Sequence, residues 1–341
     1  MLPRKYFIHI CLILTTCLSI CAGQDEVFVR VVDSGPALCC VVRMPGNPNR
    51  YMIYDGSNYS GGGALTFDKV QEIIPPGSNV ELMVLSHSDS DHLGAVDEIC
   101  DAYHIRRVLR AGHQRSTSTW IDANNAIELE QDNEHCVDIE LRYFEYPMGA
   151  TYRFGDVFVT MICGFHTPPT DWGNLSQSES LNAGSIVVRL IYANRSILFS
   201  GDAVGRHEGD PINACIATEK FMVENAHIIP IDSDVLIAPH HGADNANSTA
   251  FIQAVSPQYV IFSAGHRYEH PRSATAERYL AFGVLQQNIF RTDRGDDEST
   301  PGQPDQEWSN GRINGHHDPA GDDDIDIVIS SNGTVTVQYR N

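Results

Sequence analysis

Three short apolar runs in this chain each end in histidine or aspartate, and this pattern limits its possible folds more than any other feature. The runs at 82–85, 197–199 and 236–239 lead into His87-Ser88-Asp89-Ser90-Asp91-His92, into Asp202 and into His240-His241. Short apolar runs bounded by turn residues are typical of buried strands. Alone, each polar group also fits turn chemistry, for example Ser90 or Asp91 capping a helix near Gly94. Together they predict one site for a divalent metal that lowers the pKa of water for hydrolysis.

The composition allows a large core and disfavours a general surface for polyanions. The chain has 341 residues, 42% of them hydrophobic, and a formal net charge of −21. Because an acidic surface repels nucleic acid, any phosphate would have to be bound by the metal itself. Part of the charge lies in an acidic, Gly/Pro-rich stretch at about 293–324, which predicts a solvated loop. Calcium binding at Asp322-Asp323-Asp324 is the alternative there, although EF-hand spacing is absent from the sequence.

The first residues predict a secretory signal peptide at 1–23. Arg4 and Lys5 precede an apolar stretch at 6–20, which the small residues at 21–23 follow. The stretch is too short for a spanning helix, which needs about 20 residues. An uncleaved anchor is the alternative. We expect a secreted or periplasmic protein at 24–341, without stable membrane insertion after cleavage.

Six cysteines follow the predicted signal peptide. An even number in an exported chain favours disulfide bonds. The sequence does not fix their pairing, although Cys100 with Cys136 is a reasonable pair. The six are Cys39, Cys40, Cys100, Cys136, Cys163 and Cys215.

The order of the predicted elements indicates two sheets covered by helices in one domain. Short strands separated by Gly and Pro come first, and strands then alternate with helices. Strands are predicted at 27–32, 38–42, 51–54, 82–85, 107–109, 138–144, 157–162, 185–191, 196–199, 235–238, 259–262, 325–329 and 335–339. Helices are predicted at 67–74, 94–103, 120–129, 250–255 and 274–282. The segments at 185–191 and 196–199 should form a hairpin around Ala193-Asn194.

Six motifs in order along the chain resemble those of the metallo-β-lactamase superfamily, in which the usual first motif is His-x-His-x-Asp-His. They are Asp33-Ser34-Gly35-Pro36, Asp55-Gly56, His87-Ser88-Asp89-Ser90-Asp91-His92, Asn182-Ala183-Gly184-Ser185, Gly201-Asp202 and His240-His241-Gly242. More specifically, the chain resembles the extracytoplasmic hydrolase domain of competence-type DNA-uptake proteins, and less closely secreted phosphorylcholine esterases. The resemblance implies an α/β (α+β) fold, a four-layer αβ/βα sandwich with the site at one edge of its sheets.

The resemblance also implies a set of site residues. His87 and Asp89 would bind one metal, and Asp91 and His92 the other. Asp202 would bridge the two, and His241, or alternatively its neighbour His240, would complete the second site. His240 and Asn182 would contact substrate. His270, before Pro271, matches a histidine-proline segment of the competence-type domains and is a further catalytic candidate, with a plain loop histidine as the alternative.

Two departures from the family pattern bear on the metal. Asp89 stands where most members have histidine, and Asn182 stands near the expected third-motif histidine. Loss of two imidazoles makes the first site harder, which shifts the preference from Zn²⁺ toward Mn²⁺ or toward a single ion. We therefore expect one or two divalent ions, Zn²⁺ or Mn²⁺.

The leading hypothesis is an exported phosphodiesterase or nuclease that uses a metal-bound hydroxide. Asp91 would hold metal and orient the nucleophile, while a protonated His240, His241 or His270 would assist the leaving group. The substrate would be a small phosphodiester or related ester, or single-stranded nucleic acid. One alternative is an ester, lactone or β-lactam hydrolase, and another is a non-catalytic secreted binding protein with a degraded site. The sequence does not specify the oligomeric state.

Overall fold

A computed structural model describes residues 25–57, 64–133, 135–141, 148–265, 268, 270–292 and 324–340. The predicted signal peptide at 1–23 and residues 293–323 of the predicted acidic loop lie outside the described residues, so both stay predictions. Within the described ranges, no helix combines the length and apolar character that crossing a membrane requires.

Sixteen strands occur in the described part of the chain. They are β1 (Glu26–Val31), β2 (Cys39–Met44), β3 (Arg50–Gly56), β4 (Asn79–Leu85), β5 (His104–Ile105), β6 (Arg107–Arg110), β7 (Val137–Glu140), β8 (Thr151–Phe154), β9 (Val157–Cys163), β10 (Val187–Tyr192), β11 (Arg195–Phe199), β12 (Val235–Ile237), β13 (Tyr259–Phe262), β14 (Ile289–Arg291), β15 (Ile325–Ser330) and β16 (Val335–Tyr339).

The strands are joined by eight described α-helices and short 3-10 turns. The helices are α1 (Ala64–Ile73), α2 (Ser90–Leu93), α3 (Val96–Ala102), α4 (Ser118–Asp132), α5 (Gln177–Ala183), α6 (Ala217–Asn225), α7 (Thr249–Val255) and α8 (Ser273–Ala281). Side-chain caps fix several starts. Thr117 accepts the Trp120 N–H before α4, and Ser176 with Glu179 forms a capping box at α5.

The strands form two sheets, each part antiparallel and part parallel. The first has the order β16-β15-β1-β2-β3-β4-β6-β7, with β5 also beside β4, and the second has the order β14-β13-β12-β11-β10-β9-β8. In the first sheet β3, β4, β6 and β7 run parallel, and in the second β11 to β14 do. Because parallel strands end at one edge, the polar residues after β11 and β12 come together there.

Successive side chains of a strand point to opposite faces of its sheet, which explains how the sheets and helices form layers. In β4, Leu82 and Val84 face the core between the two sheets, whereas Met83 faces outward under the helices. The outer face of the first sheet is covered by α1, α3 and α4, and that of the second by α6, α7 and α8. The predicted four-layer αβ/βα sandwich is confirmed.

The sequence reading located most elements and missed a few. The hairpin β10–β11 turns at Ala193-Asn194, whose φ angles of 49° and 60° suit the predicted turn. The helix predicted at 94–103 is confirmed as α3, with shorter bounds, and the separate short helix α2 before it was not predicted. The missed elements, whose sequences are short or weakly periodic, are β5, β8, β14, α5 and α6.

Asp324, at the end of the predicted solvated loop, is buried. Its carboxylate accepts hydrogen bonds from the backbone N–H of Asp33, at 2.9 Å, and from Lys69 Nζ, at 3.2 Å. Arg340 lies 3.3 Å from the same carboxylate. The interpretation as a solvated residue or calcium ligand is therefore wrong for Asp324, because Lys69, Arg340 and the backbone N–H of Asp33 already engage its carboxylate.

The structure leaves all six cysteines as free thiols. Cys39 and Cys40 are neighbours in β2, so their side chains point to opposite faces of the sheet. Cys100 and Cys136 are buried under the helices of the first sheet, where burial raises the pKa of the Cys136 thiol to about 11. The predicted disulfides, including Cys100–Cys136, do not form here, because the thiols pack as small apolar groups.

Candidate metal centre

The loop after β4 brings the first group of side chains together. β4 ends at Leu85, and His87 follows it with 2% of its surface exposed. The short helix α2 then carries Asp91 and the fully buried His92. Asp89 occupies the N-cap position of α2 without a side-chain hydrogen bond, so the predicted cap by Ser90 or Asp91 near Gly94 is wrong. The Asp89 side chain is therefore not used as a helix cap.

Asp202 follows β11 on the other sheet, and a close approach of the two sheets holds it in place. Gly201 has φ +50°, and a Cβ there would lie 2.6 Å from the Cβ of Ser86. Only glycine allows this contact. The Asp202 N–H donates to Ser185 Oγ at 3.0 Å, and 3% of the residue is exposed. The end of β4 therefore meets the end of β11 at this point.

His240 and His241 follow β12 in an unusual backbone conformation. Their φ angles are 51° and 54°, in the left-handed region that residues with a Cβ rarely adopt. Backbone strain of this kind clusters at functional sites. The His241 Nδ1–H donates to the carbonyl oxygen of Ser263 at 2.6 Å, which turns Nε2 toward Asp202.

The side chains converge on the Asp202 carboxylate. Oδ1 lies 3.3 Å from His92 Nε2 and 3.6 Å from His241 Nε2, and Oδ2 lies 3.8 Å from His87 Nε2. Asp91 Oδ2 lies 3.7 Å from His241 Nε2. Two groups of three have ligand atoms close enough to share an ion. These are His87, His92, Asp202 and Asp91, His92, His241.

The unsatisfied atoms fit a divalent ion. Among the described residues, His87 Nε2, His92 Nε2, His241 Nε2 and Asp202 Oδ1 are buried without a hydrogen-bond partner. Such atoms are costly to bury unless a ligand or ion satisfies them. Their opposite ring nitrogens are held, since the His92 Nδ1–H donates to Asp55 Oδ2 at 2.8 Å. A carboxylate behind the imidazole is the usual support of a metal-binding histidine.

The buried carboxylates and histidines of the centre shift each other's pKa values. Burial raises the pKa of Asp202, but His92, His240 and His241 together hold that pKa well below its usual range. Burial lowers the pKa of His92, yet Asp202 and Asp55 hold it well above its usual value. The pKa of Asp91 is about 2, because His241 and His92 outweigh burial. Both ligand carboxylates are therefore ionised at neutral pH.

Asp89, which was expected to bind a metal together with His87, forms an ion pair with Arg115. Its Oδ1 lies 3.0 Å from Nη1 of Arg115, and its Oδ2 lies 3.8 Å from His87 Nε2. Burial raises the pKa of the Asp89 carboxyl, which Arg115 opposes. Asp89 belongs to neither group of three, so its assignment as a metal ligand stays a prediction. Arg115 was not predicted, because it belongs to none of the sequence motifs.

The carboxylates and imidazoles open onto a cavity of about 520 Å³, within the usual size of a small-molecule site, about 300–1,000 Å³. Neither lysine nor arginine is among its described lining residues. They are Asp89, Ser90, Asp91, Thr119, Ser178, Asn182, Asp202, His240, His241, Tyr268 and His270.

Asn182 and His240 form one wall of the cavity. The His240 Nδ1–H donates to Asn245 Oδ1 at 2.7 Å, which turns Nε2 toward Asn182. Asn182 Nδ2 donates to that Nε2 at 3.3 Å, and Asp202 Oδ2 lies 3.6 Å from it. The predicted role of both residues in substrate contact fits this position and stays a prediction.

His270 lies on the same wall, with its ring centroid 6.0 Å from that of His240. Burial and the neighbouring His240 and His241 lower the pKa of His270 to about 2. This shift disfavours a charged imidazole at His270. The predicted catalytic role of His270 and its contact with substrate stay predictions.

Sequence reasoning missed the residues that hold the histidines. Asp55 was noted as part of a motif but received no role, although it lies at the end of β3. It accepts hydrogen bonds from the Ser86 N–H at 2.7 Å and from Ser86 Oγ at 2.8 Å, besides that from His92. Its place at a strand end was the available signal. Asn245 and Ser263 gave no signal in the sequence.

Comparisons with known proteins agree with this architecture. A family model described as the metallo-beta-lactamase superfamily matches residues 46–266. The chain is 24% identical over 286 residues to competence protein ComA of Neisseria gonorrhoeae, which covers 79% of this chain and 31% of the relative. It is also 24% identical over 224 residues to ComE operon protein 3 of Bacillus subtilis strain 168, covering 65% of this chain and 24% of the relative.

The chain thus spans less than a third of the length of the curated relatives it matches. Among solved structures, it is similar to CmlA, a diiron β-hydroxylase from Streptomyces venezuelae. The TM-score is 0.47 and the identity 13%, with 79% of this chain and 53% of CmlA covered.

Proposed function

The chain belongs to the metallo-β-lactamase superfamily and is a metal-dependent hydrolase, and we propose that it cleaves phosphodiester bonds outside the cytoplasm. One observation carries the proposal. The free Nε2 atoms of His92 and His241 and the Oδ1 atom of Asp202 converge in a buried space beside a polar cavity. One or two divalent ions fit this donor set.

The donor set favours a hard ion and an anionic substrate. Asp91 and Asp202 supply carboxylate oxygens, and we propose that Asp89, which stands where most members of the family have histidine, adds a third. Carboxylates suit Mn²⁺ better than imidazoles do. A divalent ion held by these residues would lower the pKa of water and offset negative charge on a phosphate. We therefore propose Mn²⁺ or Zn²⁺ as the ion.

Different residues are proposed to bind the ion, transfer a proton and contact the phosphate. Asp91, Asp202 and the imidazoles bind the ion and fix its position, which Asp55 supports from behind His92. His240 Nε2 faces the cavity and is the nitrogen placed to accept and return a proton during hydrolysis. Arg115, paired with Asp89 near the cavity, adds a guanidinium that suits a phosphate oxygen.

The substrate is proposed to be a small phosphodiester or the backbone of single-stranded nucleic acid. With a net charge of −21, the protein does not attract a polyanion by its general field, so the ion must provide the attraction. Export is proposed from the signal-peptide pattern at 1–23. Two competence proteins among the relatives fit both proposals.

The test combines elemental analysis of the purified protein with a set of substrates. Wild type, Asp91→Ala and the exposed control Asp101→Ala are assayed with bis(p-nitrophenyl) phosphate, single-stranded DNA, a chromogenic β-lactam and a lactone. We expect phosphodiester turnover in wild type and Asp101→Ala, and loss of it in Asp91→Ala. Turnover of only the lactam or lactone refutes the phosphodiester proposal. Full turnover in Asp91→Ala refutes the mechanism, and failure to bind any divalent ion favours a binding protein.

A further inference from the structure

A second cluster of metal-ligating side chains lies at the opposite end of β4 from the metal centre. It consists of His104 in β5, Glu130 near the end of α4 and His135 just before β7. His104 pairs with Asn79, the first residue of β4, whereas the centre follows Leu85, the last. At a rise of about 3.3 Å per residue, this length of strand separates the two places by roughly 20 Å.

The distances in the cluster suit ligands of one ion. His104 Nδ1 lies 3.8 Å from Glu130 Oε2, and His135 Nδ1 lies 3.6 Å from Glu130 Oε1. These distances exceed those of hydrogen bonds, which run to about 3.2 Å. Two ligands that each lie about 2.0–2.1 Å from one tetrahedral zinc are roughly 3.4 Å apart. The two imidazole centroids are 4.0 Å apart, and each ring has its Nδ1 atom beside the Glu130 carboxylate.

A cation next to the Glu130 carboxylate would stabilise it in its position. Glu130 is 8% exposed and lies in the last turn of α4, where the helix dipole disfavours an anion. The carboxylate accepts one backbone hydrogen bond, from the Ile105 N–H at 3.2 Å. Within the described ranges, its ion pairs are those with the two histidines and include neither lysine nor arginine. Burial of such a carboxylate is costly unless a cation compensates it.

We propose that His104, Glu130 and His135 form a second divalent-metal site, separate from the hydrolytic centre. Two imidazoles and one carboxylate are a donor set for Zn²⁺ or another borderline ion such as Cu²⁺. The His104 side chain is 60% exposed, so the remaining coordination positions are open to water. The ion ties β5 and the segment entering β7 to the end of α4, which makes the site a structural clamp.

The test counts bound zinc in four proteins. Wild type, His104→Ala, Glu130→Gln and the exposed control His227→Ala are dialysed against buffered Zn²⁺ and analysed for metal, and hydrolysis is assayed in parallel. We expect wild type and His227→Ala to bind one equivalent more than His104→Ala. Glu130→Gln keeps the size of the side chain and its hydrogen bond from Ile105, and we expect it to lose the same equivalent.

The hydrolytic rates of all four proteins should agree, because the site is remote from the centre. A zinc-edge anomalous map of wild-type crystals should show a peak between the three side chains. Equal zinc content in wild type, His104→Ala and Glu130→Gln overturns the proposal. So does a fall in metal-free stability of Glu130→Gln without a change in zinc content, since this shows a plain ion pair. If no protein hydrolyses a phosphodiester, the proposed function fails but the zinc count still decides this site.

Discussion

Replacing Asp55 with asparagine should weaken metal binding although Asp55 is not itself a ligand. In the structure, Asp55 Oδ1 accepts the Ser86 N–H, and Oδ2 accepts the His92 Nδ1–H. An asparagine that keeps its carbonyl toward Ser86 turns its NH₂ group toward His92. The imidazole must then accept at Nδ1 and carry its proton on Nε2, which is the atom that faces Asp202. Metal binding must displace that proton.

The size of the effect follows from the support that Asp55 gives. Loss of a group that holds a metal-binding histidine costs about 10–100-fold in metal affinity, or roughly 1.4–2.8 kcal/mol. If the amide flips instead, its NH₂ group meets the Ser86 N–H, and the buried donor left without a partner costs about 1–3 kcal/mol. The first orientation therefore weakens metal binding, and the second lowers the stability of the fold by a similar amount.

The assay is titration of the metal-free protein with Mn²⁺ or Zn²⁺ by calorimetry, with urea unfolding to check the fold. Asp234→Asn is a matched control, because Asp234 also accepts a backbone N–H, that of Ser196 at 2.8 Å, and does not line the cavity. We expect weaker binding in Asp55→Asn and unchanged binding in Asp234→Asn. Wild-type affinity in Asp55→Asn together with an unchanged urea midpoint would refute the argument that the His92 tautomer is set by Asp55.

Three further perturbations test other parts of the structure. In the metal-free protein Asp202 and Asp55 raise the pKa of His92, so its stabilising charge is fully present below about pH 6.5 and is lost as the pH rises through the folded-state value. Urea midpoints should fall over that range while metal affinity rises, and opposite trends would contradict this assignment. Arg30→Ala should destabilise the fold by about 3–5 kcal/mol, since it leaves Asp326 without its partner at 2.8 Å. Denaturant unfolding with an unchanged midpoint would contradict it. Tyr54→Phe removes the buried O–H that donates to the Ile186 carbonyl at 2.7 Å, and calorimetric unfolding should report a loss of about 1–3 kcal/mol.

The sequence predicted some strands and site residues accurately and missed others. The strand β13 was predicted with its observed bounds, because a short apolar run between turns has few alternatives. The short strand β14 was missed, because three residues carry no periodic signal. For the site, His87, Asp91, His92, Asp202 and His241 were all candidates before the structure, since strand-end position marks them.

Other parts of the site depend on contacts between distant segments. Arg115 and Asn245 lie in loops whose sequence does not indicate what they contact, yet they hold Asp89 and His240. The burial of Asp324 likewise required knowledge of Lys69 and Arg340. From composition, Asp324 was assigned to a solvated acidic run. Charge density can be counted in a short segment, whereas ion pairs such as those of Asp324 join segments that are far apart in the chain.

The sequence by itself determined the layered α/β class, the strands and the residue types of the centre, because alternation and strand-end polarity are properties of neighbouring residues. Only the tertiary structure decided which nitrogen of each histidine is free, that Asp89 pairs with Arg115 and that the cysteines pack as thiols. Those outcomes depend on the approach of β4 to β11 at Gly201 and on the packing of two sheets. Such contacts join segments far apart in the chain, and local patterns do not encode their geometry.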